Sequence, residues 1–145
     1  MYYKDLTISI RPIPNDALNI GWLQLDHPYT KGKAPDGFLE KLSEYKEYRV
    51  MQTRGFHGCD FCEKNNRENG SLSSNEIRVV SKEGKIYASP MMIIHYVKYH
   101  NYLPPQEFID AVMNGLSPKD SVEFWKEKYS QIISKSIFLG KLNNK

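Results

Sequence analysis

An α+β fold is expected for this chain from three observations. Two alternating apolar runs flank a short glycine-bearing turn, which predicts an antiparallel hairpin. Apolar residues recur at helical spacing over residues 38–45, 91–99, 106–113 and 118–138, which predicts three to four helices. A Cys-x-x-Cys pair stands just before the hairpin, and two histidines stand just after it. With 145 residues the chain suits a single domain over 1–145, the C-terminal helix at about 118–138 completing its core. A chain this long buries about two thirds of its unfolded surface, so smallness alone creates no need for a metal or a disulfide.

In chain order, Leu6-Thr7-Ile8-Ser9-Ile10 alternates as a short strand would and is ended by Pro12 and Pro14. The stretch Gly21-Trp22-Leu23-Gln24-Leu25-Asp26-His27-Pro28 reads as ordered but irregular. Pro35-Asp36-Gly37 introduces a first helix, with Phe38, Leu39, Leu42 and Tyr45 on one stripe. Tyr48 to Thr53 reads as extended, and the nearly all-polar Lys64 to Asn75 as a loop. Glu76 to Val80 and Lys85 to Ala88 are the two strands, joined through Lys82-Glu83-Gly84. Their alternation places Glu76 and Arg78 on an exposed face.

Ser89-Pro90, a cap residue followed by proline, starts a helix from Met91 to about Tyr99. That helix is apolar on nearly every side, with Lys98 its one formal charge, and so reads as buried. Pro104-Pro105 and Glu107 open a helix from Gln106 to Met113, with Phe108, Ile109 and Val112 apolar. Ser117-Pro118-Lys119-Asp120 resembles a capping box. The last helix carries Val122, Trp125, Tyr129, Ile132, Ile133 and Ile137 at three- and four-residue steps.

The net charge of +3 and a pI near 8.7 are a mild basic bias. The lysines are scattered, densest at Lys126, Lys128, Lys135, Lys141 and Lys145, which reads as a solvated helix face and tail. Nucleic acid is therefore a weakly supported partner. The longest apolar run, Met91 to Ile94, is too short to span a bilayer, so no membrane partner is expected. No signal-like apolar stretch follows Met1-Tyr2-Tyr3-Lys4-Asp5, and the expected location is cytoplasmic, where thiols stay reduced.

The chemistry-bearing residues are few. Cys59 and Cys62 are the two cysteines; His95 and His100 are two of the 4 histidines. Their order and spacing fit a tetrahedral Zn(2+) site with two thiolates and two imidazoles, because zinc is a borderline-soft cation that takes both donors. At about 100° per residue, positions 95 and 100 point about 140° apart on an ideal helix. Both reach one ion only if the last turn loosens, which Asn101 and Pro104 permit. Three other readings stay open: His57 replacing one histidine ligand, a redox Cys-x-x-Cys, and cysteines that hold nothing. Phe61, between the cysteines, is expected to cover the metal. Asp26-His27-Pro28 reads as a loop histidine with local duties. The chain carries no glycine-rich phosphate loop, no Gly-x-Ser-x-Gly elbow and no His-Glu-x-x-His pair.

The order of knuckle, loop, hairpin and helix resembles the layout of a treble-clef zinc fold, although His95 falls at the second turn of the expected helix. A second resemblance rests on Gly21-Trp22-Leu23, His27-Pro28, Arg54-Gly55-Phe56-His57-Gly58-Cys59-Asp60-Phe61-Cys62, Glu76-Ile77-Arg78-Val79, Tyr87 to Val97 and Pro104 to Ile109. Over roughly Gly21 to Val112 the chain looks like a group of small uncharacterised bacterial proteins, with Phe-His-x-Cys-x-Phe-Cys the most specific piece. The resemblance implies a bacterial cytoplasmic origin and a metal-binding domain, and it brings no activity or catalytic residue. The expected role is a non-enzymatic, zinc-stabilised protein that works through protein–protein contacts. The alternatives are a metal-dependent hydrolase or nuclease with a three-ligand site and His57 or His27 as base, and a weak nucleic-acid-binding module.

Overall fold

The hairpin sits at the centre of the fold. In the computed structural model, β2 (Glu76–Val80) and β3 (Ile86–Pro90) pair antiparallel, with Arg78 opposite Ala88 and Val79 opposite Tyr87. The turn closes with Ser81 N–H donating to the Lys85 carbonyl at 2.9 Å, and Gly84 supplies the positive φ of 85° that the turn demands. Residues 2–9, 16–50, 59, 61–62 and 75–143 are described, with side chains as far as Ile132.

The sheet is mixed, not a hairpin alone. A third strand, β1 (Leu18–Asn19), runs parallel to β3, giving the order β1-β3-β2. The expected strand over Leu6–Ile10 is only partly realised. Ile8 forms an isolated antiparallel bridge to Leu18, and Ser9 N–H donates to the Ala17 carbonyl at 2.7 Å. Leu6 at φ 68° breaks the extended run; Ile10 lies outside the described residues. On the far edge Val50 and Glu76 exchange backbone bonds of 2.8 and 2.9 Å, so the expected extended segment is present at Val50, while Met51 to Thr53 lie outside the described residues.

Both faces of the sheet are covered. Ile77, Val79 and Tyr87 join a core with Phe38, Leu42, Ile93 and Phe108 from three helices: α1 (Phe38–Ser43), α2 (Ile93–Tyr99) and α3 (Gln106–Asn114). Val80, Ile86 and Ala88 pack beneath Trp125 of α4 (Pro118–Asn143). That second cover overturns the expected exposure of Glu76 and Arg78. They are 3% and 1% exposed and pair at 2.9 Å, with the guanidinium 5.0 Å from the Trp125 ring centre. Alternation in β2 is real, but a helix takes the place of water on the polar face.

The helices follow their sequence signals with shifts at the ends. Gly37, at φ 85°, precedes α1, which tightens into a 3₁₀ turn over Glu44–Tyr48; Phe38, Leu42 and Tyr45 are buried. Ser89 and Pro90 do not cap α2 as expected. Ladder bonds hold them in β3, and the helix starts at Ile93 with no side-chain cap. Nor is α2 buried all round: Ile93 to Tyr96 are buried, whereas Tyr99 is 45% exposed. Ser117 Oγ does cap α4, accepting the Asp120 N–H at 3.1 Å, and that helix runs on to Asn143. No described helix is long and apolar enough to cross a membrane.

Two polar ties fasten the amino-terminal segment. Asp5 accepts the Gly21 N–H at 2.9 Å and the Tyr102 hydroxyl at 2.7 Å. Burial, then the Asp5 charge, push the Tyr102 hydroxyl far above its ordinary value of 10.0, so it remains a donor. Trp22 donates its indole N–H to the Ala88 carbonyl at 3.0 Å.

Two substitutions test this packing. Arg78→Ala removes the counter-charge of buried Glu76 and is expected to cost about 3–5 kcal/mol in denaturant unfolding. Gly21→Ala forces φ 78° on alanine and brings a Cβ within 2.8 Å of Ile93 Cγ1, so a loss of about 1–3 kcal/mol is expected. An unchanged midpoint for either variant would show that the packing does not depend on it.

Candidate metal centre

Two chain segments build the centre. The first is the knuckle, where Cys62 N–H donates to the Cys59 carbonyl at 3.4 Å. The second is α2 and its exit. Because β3 keeps Ser89 and Pro90, α2 begins at Ile93, and His95 lies in its first turn rather than its second. His100 is the C-cap, with φ −124° and ψ 17°, and Asn101 follows in the left-handed region at φ 53°. The helix therefore stops one residue before the second histidine. That break removes the angular conflict of two histidines five positions apart on a regular helix.

Four candidate donor atoms converge. Cys59 Sγ lies 3.2 Å from His100 Nε2, and Cys62 Sγ lies 3.2 Å from His95 Nε2. Cys62 Sγ is 3.5 Å from His100 Nε2, and the two Nε2 atoms are 3.3 Å apart. All four atoms fall within 4.8 Å of one another. Zinc bonds of about 2.3 Å to sulfur and 2.0–2.1 Å to nitrogen make tetrahedron edges of about 3.3 Å between nitrogens and about 3.5 Å between nitrogen and sulfur. The four separations given, N–N and N–S, are of that size, and these residues form a group that could hold a metal ion. No disulfide joins the two thiols.

Aromatic rings wall the centre. Phe61 stands 5.5 Å from the His100 ring, 5.9 Å from Tyr96 and 5.3 Å from Tyr29. Tyr29 donates its hydroxyl to the His100 carbonyl at 2.9 Å, and Tyr99 tilts over His95 at 5.0 Å. His95 is 6% exposed; both cysteines and His100 are half-buried. Phe61, expected to cover a metal, lies against the His100 ring. Sequence reasoning missed Tyr29, which comes from an irregular stretch with no periodicity to announce it.

His27 stacks on Tyr2 with ring centres 3.8 Å apart, and its Nε2 is 3.8 Å from Asp26. His57, Phe56, Asp60 and the polar loop over Lys64 to Ser74 lie outside the described residues.

Burial sets the titration of the centre when no cation is bound. It pushes the Cys59 thiol from 9.0 up to about 11, with Cys62 adding to the rise. It lowers His95 from 6.5, helped by the charge His100 would carry, and it lowers His100 as well. The buried group thus favours neutral thiol and neutral imidazole. In the unfolded chain the imidazoles take protons first as pH falls, and the thiol loses its proton first as pH rises. Metal-free protein is therefore expected to lose stability below about pH 6.5 and again above about pH 9. A bound cation that holds the thiolate form removes the alkaline loss. Denaturant midpoints against pH, with and without zinc, check both limbs; a flat profile for the metal-free chain would contradict this assignment.

Comparison with curated proteins finds no match, and comparison with solved structures finds none. A family model described as a domain of unknown function, DUF7919, matches residues 1–113, which include all four donors and stop before α4. The chain belongs to that family.

Proposed function

We propose that this is a zinc-stapled, non-catalytic domain, with Cys59, Cys62, His95 and His100 as the ligands, that works by presenting a surface to a partner. The observation that carries the reading is the convergence of two sulfurs and two Nε2 atoms at tetrahedral separations. The donor set selects the ion: two thiolates and two imidazoles suit zinc, and the two negative charges balance its two positive ones. The staple ties the knuckle to α2, and through α2 to the hairpin core. Zinc thiolates of this kind suit a reducing compartment, in keeping with a bacterial cytoplasm.

Four protein donors leave a tetrahedral ion no position for water, and hydrolysis needs one. The hydrolase alternative would require one donor to withdraw and a base to stand nearby. His27 is committed to Tyr2 and Asp26, which weakens its candidacy. Protein–protein contact was the expected mode of action, and the aromatic wall around the centre suits a surface whose shape is set by the metal.

Purified protein is expected to bind one zinc per chain, and cobalt substitution is expected to give a tetrahedral thiolate spectrum. With free zinc about a thousandfold above Kd, linkage contributes about 4 kcal/mol, or about 10 °C in melting temperature at this size. A strong chelator should remove that margin. Cys59→Ser and His100→Ala should each lower zinc affinity by more than about 100-fold, beyond the loss typical of outer-shell partners. A melting curve that stays put while metal analysis shows the ion gone would refute the staple.

A further inference from the structure

A second feature lies beside the α2 exit. Lys31, Lys33 and Lys98 line one open groove of about 510 Å³. The sequence scatters these lysines; the fold gathers them. Its backbone ties run between residues 30–32 and 101–103. Gly32 N–H donates to the Asn101 carbonyl at 2.9 Å, Leu103 N–H donates to the Thr30 carbonyl at 2.9 Å, and Lys31 bridges to Tyr102. All three lysines are exposed, and none is in an ion pair among the described residues. Asp36 and Glu40 line the same groove without pairing with them. By contrast, Lys85 and Lys128 have carboxylate partners and Lys41 donates to the Met113 carbonyl. The groove therefore offers three ammonium groups in one concavity with no counter-charge engaged.

An aromatic ring stands beside them. Tyr99 is 45% exposed, and the Lys98 ammonium lies 5.1 Å from its ring centre. A basic track with an exposed aromatic at its margin is how proteins hold an unpaired nucleic-acid strand: lysines follow the phosphates and a base stacks on the ring. An acidic peptide is the competing occupant, and the oligonucleotide is the one that uses both the ammonium groups and a stacking ring.

We propose that the Lys31–Lys33–Lys98 groove, with Tyr99, binds single-stranded nucleic acid without sequence preference. This goes beyond the staple reading above and names a nucleic-acid partner in place of the protein partner expected from the sequence. The lysines set phosphate affinity, and Tyr99 adds stacking. Asp36 and Glu40 line the same groove and would weaken phosphate binding there. Because Asn101 follows the ligand His100 directly, the wall of the groove and the metal centre share one turn of chain.

The test uses zinc-loaded full chain and a fluorescein-labelled fifteen-residue oligothymidine, read by anisotropy across 25–200 mM KCl. Three phosphate contacts on a single strand predict a log–log salt slope of about −2, at about −0.7 per contact. Each of Lys31→Ala, Lys33→Ala and Lys98→Ala should reduce that slope by about 0.7, and the triple variant should lose binding. Lys126→Ala, on α4, should change nothing. Tyr99→Ser should weaken binding about ten-fold at constant slope, whereas Tyr99→Phe should retain it. A triple variant that binds like the parent overturns the proposal, as does equal affinity for polyglutamate or for duplex of the same length. Zinc content and melting temperature are measured on every sample. Full zinc with no oligonucleotide binding defeats this groove alone; a chain that takes no zinc yet binds with the expected slope defeats only the staple.

Discussion

The place where α2 stops governs the site. One more helical residue would carry His100 round the axis and away from the thiols. Instead Tyr99 is the last helical residue, His100 adopts intermediate angles, and Asn101 turns left-handed. The same short exit then sends Tyr102 back to Asp5 and Leu103 to Thr30. Three consequences share this cause: both imidazoles face one point, the amino-terminal segment is tied down, and a groove opens beside Lys98. Asparagine suits the position because its short polar side chain tolerates positive φ.

The second constraint is a sheet with no solvent face. Three helices cover one side and α4 covers the other, so β2 reads as half-polar yet is wholly buried. Burying Glu76 with Arg78 is expensive unless the pair is held closely, and Trp125 lends its ring to the guanidinium. An apolar pair would pack as well. The ionic pair instead sets a cation against the Trp125 ring of α4.

Most of the fold was legible, for particular reasons. The hairpin announced itself through Gly84 and two alternating runs, and α3 and α4 through periodic apolar residues and Ser117. What misled was context that acts over long distance. The polar alternation of Glu76 and Arg78 is local, whereas the helix that covers them starts about forty residues later. Ser89-Pro90 carries a helix-start signal, but ladder bonds to β2 outbid it. In the site, the four side chains that converge could be named because sulfur and imidazole are scarce in this chain and their spacing is chemical. Tyr29 and the lysine groove could not, because nothing in a single stretch of sequence says which irregular segments will lie side by side.

The parallel strand β1 has a kinetic meaning. It adds to β3 from nearly seventy residues upstream, and Trp22 reaches the Ala88 carbonyl across 66 positions. Asp5 and Tyr102 are 97 positions apart. A nascent chain emerging from the ribosome must hold this amino-terminal third without its partners until the hairpin and α2 have been synthesised. High contact order of this sort slows folding, and it leaves Leu18 to Leu23 open to chaperones during synthesis.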